Sequence, residues 1–135
     1  MRVVLCNGVF DLLHVAHIRH LQEAATLGGR LVVAITRDAH IGKPGRPIVP
    51  EHERLELIRA LRCVHEAQLC KDSIEALKYW KPQVFCKGND YRKKGLLDEE
   101  ISYCARHGIE IVHTRHNPQT TTGIIERIER LTCVS

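Results

Sequence analysis

Short apolar runs alternate along this chain with segments in which apolar residues return every three or four positions. The runs are Arg2–Cys6, Leu31–Thr36, Val64–Leu69, Val84–Cys86 and Ile109–Thr114. They are brief and partly β-branched, the pattern of strands buried on both faces of a parallel sheet. Between them, Ile18, Leu21, Ala24 and Ala25 mark one helical face, and Leu55, Ile58 and Leu61 a second. Ile74 with Leu77, Ile101 with Ala105, and Ile124, Ile125, Ile128 and Leu131 mark the others. Pro50 before Glu51 is a start signal, and Asp72–Ser73–Ile74–Glu75 reads as a capping box. Gly28–Gly29 and Gly108 are placed to stop two of the helices. Strand then helix, five times over, predicts an α/β fold: a doubly wound, five-stranded parallel sheet of Rossmann-like type. Without repeats, low-complexity tracts or a linker, residues 1–135 read as one domain.

Composition narrows the field. The N-terminus MRVVLCNG lacks a signal-peptide layout and no run is long enough to span a membrane, so a cytoplasmic protein is expected. The six cysteines form no CxxC pair, and several lie inside apolar runs. Reduced, core-packed thiols are the expectation, and a zinc cage is not. A net charge of +4 with only 4% aromatic residues suits a small anionic ligand. It offers no stacking platform for nucleic acid.

In a doubly wound sheet, ligands meet the loops that follow the strands. The first such turn reads GVFDLLHVAH, with Asn7, Gly8, Val9, Phe10 and Asp11 leaving the strand and His14 and His17 beginning a helix. It is neither a GxGxxG fingerprint nor a Walker loop. A helix N-terminus nevertheless offers free N–H groups and the positive end of a dipole, and imidazoles beside it can donate to phosphoryl oxygens. The bland alternative is a pair of incidental histidines. His20 extends the series to HxxHxxH, but successive steps of three drift round a helix and no nearby acid completes a metal set. The last loop, RHNPQTTTGII, sets Arg115, Thr120, Thr121 and Thr122 before another helix. One threonine would suffice for a cap; three hydroxyls make a polyphosphate cradle. Two helix N-termini at one sheet edge, so equipped, suggest a nucleoside triphosphate site.

These residues carry a resemblance. GVFDLLHVAH is similar to the HxGH signature of the cytidylyltransferase-like nucleotidyltransferases, and TTTGII to their C-terminal [ST]-T motif. FCKGNDY resembles the KGxDY loop of the bacterial heptose 1-phosphate adenylyltransferases, and GRPIVPEHERLELIRALRCV a further segment of that group. Glycerol-3-phosphate cytidylyltransferase is a related type. The resemblance implies that His14 and His17 bind the triphosphate and stabilise the transition state, with Lys43 at the α-phosphate and Arg115, Thr120 and Thr121 on the distal phosphates. Thr122 extends that cradle, Val9, Phe10 and Asp11 line the nucleotide, and Gly88, Asn89 and Asp90 frame the nucleoside. Arg54 and Arg62 would organise the phosphate-binding region, while Asp11, Asp38, Lys43 and Arg46 would face the acceptor. Ala16 stands where the signature has glycine, a departure that bears on how the nucleotide seats.

The implied reaction is attack by an acceptor phosphate on the α-phosphorus, with pyrophosphate leaving and Mg²⁺ held mainly through the triphosphate. KGNDY favours ATP over CTP, and the acceptor is expected to be a phosphorylated sugar or polyol such as heptose 1-phosphate. CTP with glycerol 3-phosphate is the alternative within the class, and a non-catalytic nucleotide-binding module the alternative outside it. A homodimer is implied, with no nucleic-acid or membrane partner. Taken singly, Arg54 and Arg62 could be solvated charges on a helix, Lys43 and Arg46 loop charges, and Asp90 the start of a turn.

Overall fold

The computed structural model describes residues 1–88, 96–115 and 121–132, without the side chain of Thr121. Five strands, β1 (Val3–Gly8), β2 (Arg30–Thr36), β3 (Glu66–Cys70), β4 (Val84–Lys87) and β5 (Glu110–His113), form one parallel sheet in the order β3-β2-β1-β4-β5. Helices α1 (Val15–Ala25), α2 (Glu51–Arg59), α3 (Ser73–Trp80), α4 (Asp98–Arg106) and α5 (Thr121–Thr132) follow the strands in turn. The chain order reverses between β1 and β4, which makes the crevice beside β1 the topological switch point.

Alternation along each strand sorts the core into two layers. Val4, Cys6, Val33, Ile35, Val84 and Cys86 meet Leu21 and Ala24 of α1 and Ile58 of α2. Leu5, Val32, Ala34 and Phe85 point the other way, onto Ala76 and Leu77 of α3 and Tyr103 and Cys104 of α4. The sheet is thus covered on both faces, which is why its strands read as unbroken apolar runs. Gly28 lets the α1–β2 turn press on the start of β1: a Cβ there would lie 2.6 Å from the Arg2 carbonyl oxygen.

Two boundaries move in ways that affect the site. β1 continues through Asn7 and Gly8, which pair with Ala34 and Ile35, so both residues belong to the strand and the turn begins at Val9. β3 begins at Glu66, because the Val64 N–H turns back to the Leu61 carbonyl and the His65 N–H bonds the Leu31 carbonyl. Arg62 consequently lies beyond α2, exposed in the turn that enters β3. That is the edge where strands begin, opposite the edge where they end. Arg62 is therefore corrected from a phosphate-organising residue to a surface charge away from the site.

Candidate active site

The loops after β1 and β2 meet at the C-terminal edge of the sheet, where β4 also ends. The β1–α1 turn and the loop after β2 are fastened together by buried polar groups. Asp11 is 2% exposed, and its carboxylate accepts the backbone N–H groups of Ile48 (2.6 Å) and Val49 (3.1 Å). Arg46 donates to the Asp11 carbonyl at 2.6 Å. Asp11 therefore holds the loop and does not present its carboxylate to an acceptor hydroxyl, a correction to its expected role. Part of the Arg46 guanidinium is likewise committed to the clasp.

Arg54 is the second fastening. The first turn of α2 places it at 0% exposure. Its guanidinium donates to the carbonyls of Val49 (2.9 Å), Val9 (2.8 Å) and Thr36 (2.9 Å) and to Asp38 Oδ1 (2.6 Å). A planar fork with donors on three sides can tie two loops and a helix where a lysine could not. Arg54 is neither a solvated helix charge nor a direct nucleotide ligand; it is a positioning residue for the turn that carries the histidines. Asp38 joins the same network, with Oδ2 accepting the Glu51 N–H at 3.3 Å at the start of α2, while its side chain stays 36% exposed.

Lys43 is exposed on the loop so anchored. On the other side, Lys87 ends β4 buried, 3.3 Å from Glu100 Oε2 on α4, while Glu100 Oε1 accepts the Leu97 N–H. This pair brackets the stretch that begins at Gly88. Asn89 and Asp90 of that stretch, and Thr120 before α5, lie outside the described residues. Thr122 is exposed on the first turn of α5. Arg115 is exposed, and its backbone N–H is held 3.0 Å from both carboxylate oxygens of Glu23 on α1.

The histidines stand at the centre. His14 is the N-cap of α1, and its Nδ1 accepts the Ala16 N–H at 3.2 Å. His17 Nδ1 accepts the His14 N–H at 3.2 Å, so two imidazoles perform the reciprocal capping that Ser and Glu perform elsewhere. Each Nδ1 is an acceptor, which places the proton of each neutral ring on Nε2. Among the described residues, His14 Nε2 is buried without a protein partner, and so is Asn7 Oδ1 at the end of β1. A buried donor and acceptor left open at a strand edge are a reason to look for a ligand.

Burial pushes His14 down from the ordinary histidine range. Burial, then the neighbouring His14 and His20, pushes His17 down to about 4. The Phe10 ring meets His17 edge-on at 5.4 Å, and Phe10 itself has φ +55°. The left-handed backbone is costly for a bulky residue and marks a turn fixed by its surroundings. Gly8 makes room, since a Cβ there would come within 3.0 Å of the ring. Gly8→Ala is accordingly expected to destabilise by about 1–2 kcal/mol and to lower turnover by shifting the ring behind His17. Urea melts and a turnover assay test this; no change in either would mean that the ring yields freely. Ala16 is buried in helical backbone, with its N–H on His14, so the extra methyl is accommodated within the fold.

The titration of His17 predicts a pH dependence. Below the ordinary histidine pKa the unfolded chain takes up a proton that folded His17 refuses. Stability is then lost as pH falls from about 6.5 to about 4, by on the order of 3 kcal/mol. Urea midpoints for the native chain minus those for His17→Gln, from pH 7 to pH 4, isolate this component from the carboxylates. Parallel curves would mean that His17 titrates normally.

The Lys87–Glu100 pair and the Glu23 carboxylate on the Arg115 N–H were not evident in the sequence, although Lys87 stands at a strand end. The HxxHxxH series divides: His20 Nδ1 lies 2.9 Å from the buried Thr114 hydroxyl, apart from the capping pair. Among the described residues, no helix is long and apolar enough to cross a membrane.

Comparison with known proteins accords with this geometry. The profile of the family described as cytidylyltransferase-like matches residues 5–127. The chain is 36% identical over 134 residues to the bifunctional protein HldE of Pelobacter propionicus, covering 94% of this chain and 27% of that protein. It is 37% identical over 134 residues to HldE of Geotalea uraniireducens, again covering 94% and 27%. The chain thus spans about a quarter of the length of these relatives. The crystal structure of a lipopolysaccharide core biosynthesis protein from Thermoplasma volcanium superposes with a TM-score of 0.74 at 34% identity, covering 87% of this chain and 99% of that one. An Archaeoglobus fulgidus protein of unknown function shares the fold, with a TM-score of 0.68 at 20% identity over 90% and 94% of the two chains. The chain belongs to the cytidylyltransferase-like family of nucleotidyltransferases.

Proposed function

We propose that this protein transfers AMP from ATP to a phosphorylated sugar, of the heptose 1-phosphate kind, and releases pyrophosphate. The observation that carries the reading is the imidazole pair whose Nδ1 atoms are occupied by backbone N–H groups, leaving Nε2–H donors at the switch point. Neutral donors fixed before the substrate arrives stabilise charge that develops on phosphoryl oxygens without reorganising. An acceptor phosphate oxygen attacks the α-phosphorus in line, the bond to the β-phosphate bridging oxygen breaks, and pyrophosphate departs. No protein nucleophile is required, so catalysis is positioning and charge neutralisation.

His14 and His17 meet the triphosphate, Lys43 approaches the α-phosphate, and Arg115 with the threonines at α5 takes the distal phosphates. Asp11 and Asp38 have their carboxylates on protein donors, which suits an Mg²⁺ ion held by phosphate oxygens and water. That ion, when bound, shields the charge of the leaving pyrophosphate. The sugar-phosphate acceptor is supported by the KGNDY motif and by the Thermoplasma volcanium neighbour, named for lipopolysaccharide core biosynthesis. The working unit is read as a cytoplasmic homodimer, checked by sedimentation of the purified chain.

The family description favours CTP as donor in one second reading, for which glycerol 3-phosphate is the acceptor the sequence resemblance suggests. A grid of four nucleoside triphosphates against heptose 1-phosphate, glycerol 3-phosphate and related phosphates, scored by pyrophosphate release, separates the two. Turnover with ATP and a sugar phosphate is expected. Turnover only with CTP and glycerol 3-phosphate would replace both substrates and keep the reaction. Tight nucleotide binding with no turnover across the grid would make the protein a binding module.

A further inference from the structure

We propose that Cys6, Cys86 and His20 form a zinc site that fastens α1 to the sheet beneath the histidine pair. Cys6 on β1 and Cys86 on β4 are register partners on adjacent strands. Both are buried and project onto the layer covered by α1. His20 reaches them from α1, and one donor atom from each of the three residues lies within 4.8 Å of the others. Two sulfurs and an imidazole are the donor types that zinc selects.

Charge narrows the choice of ion. Zn²⁺ with two thiolates and a neutral imidazole is a neutral assembly. A monovalent soft cation such as Cu⁺ would leave a net negative charge in the core, where an unbalanced charge is costly. Donors bound to tetrahedral zinc at about 2.0–2.3 Å sit roughly 3.3–3.8 Å apart, so modest side-chain rotation closes the observed cluster. The outer hydrogen bond is already present: the Thr114 hydroxyl lies 2.9 Å from His20 Nδ1 and orients the ring. Thr114 is itself fixed, its N–H donating to the Lys87 carbonyl at 2.9 Å. Water takes the fourth position, as in zinc sites with three protein ligands. The ion spans β1, β4 and α1 across the switch point, in a place that no spacing rule for cysteines would reveal.

The test uses the full chain under reducing conditions and needs no substrate, so it stands apart from the nucleotidyl-transfer reading. The protein is expected to retain one zinc per chain through gel filtration, and zinc is expected to raise its Tm. Cobalt loaded in its place should show thiolate-to-cobalt charge-transfer absorption in the near ultraviolet. Cys6→Ser and Cys86→Ser should abolish that absorption, and Thr114→Val should weaken zinc affinity by about tenfold or more. Folded native protein, verified by circular dichroism, that takes up neither zinc nor cobalt would overturn the proposal even if the variants failed to fold. Uptake of copper alone would overturn it as well.

Discussion

His17→Ala and His14→Ala are each expected to lower kcat by at least about 10²-fold, a few kcal/mol of transition-state stabilisation, with a smaller change in nucleotide affinity. Alanine, however, also removes a helix cap worth about 1 kcal/mol, so loss of activity alone would not separate chemistry from folding. His14→Ser separates them. Serine is a good N-cap and can accept the Ala16 N–H that His14 Nδ1 accepts now. It cannot place a donor where the buried His14 Nε2 lies. The serine variant should therefore melt near the native temperature and still lose the rate. Near-native turnover by His14→Ser, measured by pyrophosphate release, would reduce the histidine to a cap.

Arg54→Met is expected to destabilise the fold by about 3–5 kcal/mol, the range for breaking a buried charged network by removing one partner. Methionine keeps much of the volume, so the loss reports the hydrogen bonds. Three backbone carbonyls and the Asp38 carboxylate lose their donor at once, in a place water reaches poorly. Arg54→Lys should recover little, because an ammonium cannot match donors arranged on three sides of a plane. Urea unfolding gives the value. A loss below about 1 kcal/mol would mean that the network contributes no more than a surface ion pair.

The fold was legible because its signals are local. Each strand announced itself by a short apolar run, and the Asp72 cap by a side chain that accepts the Glu75 N–H three residues on. The histidine pair was legible for the same reason, being three residues apart on one helix start. What escaped the sequence depends on which loops meet. Arg54 looks like any arginine on a polar helix until the loops after β1 and β2 close over it. Asp11 reads as an open carboxylate until Ile48 and Val49 turn their N–H groups toward it. Arg62 was misplaced because α2 ends at Arg59 and periodicity does not say where a helix stops. Cys6, His20 and Cys86 are far apart in the chain, and only the strand order that sets β1 beside β4 brings them together.

The reciprocal capping of His14 and His17 has a kinetic side. Forming the first turn of α1 and aiming the two imidazoles are a single event, so a folded chain has no separate arming step before each cycle. Protonating either ring would cost its Nδ1 the backbone N–H it accepts, which ties the helix start to the uncharged form. In the proposed function the innermost groups facing the phosphates are therefore dipoles, and a dipole's hold on an anion falls off faster with distance than a cation's. If the proposed reaction holds, pyrophosphate moving outward leaves that grip behind within a short distance, so the climb back to an empty site is brief.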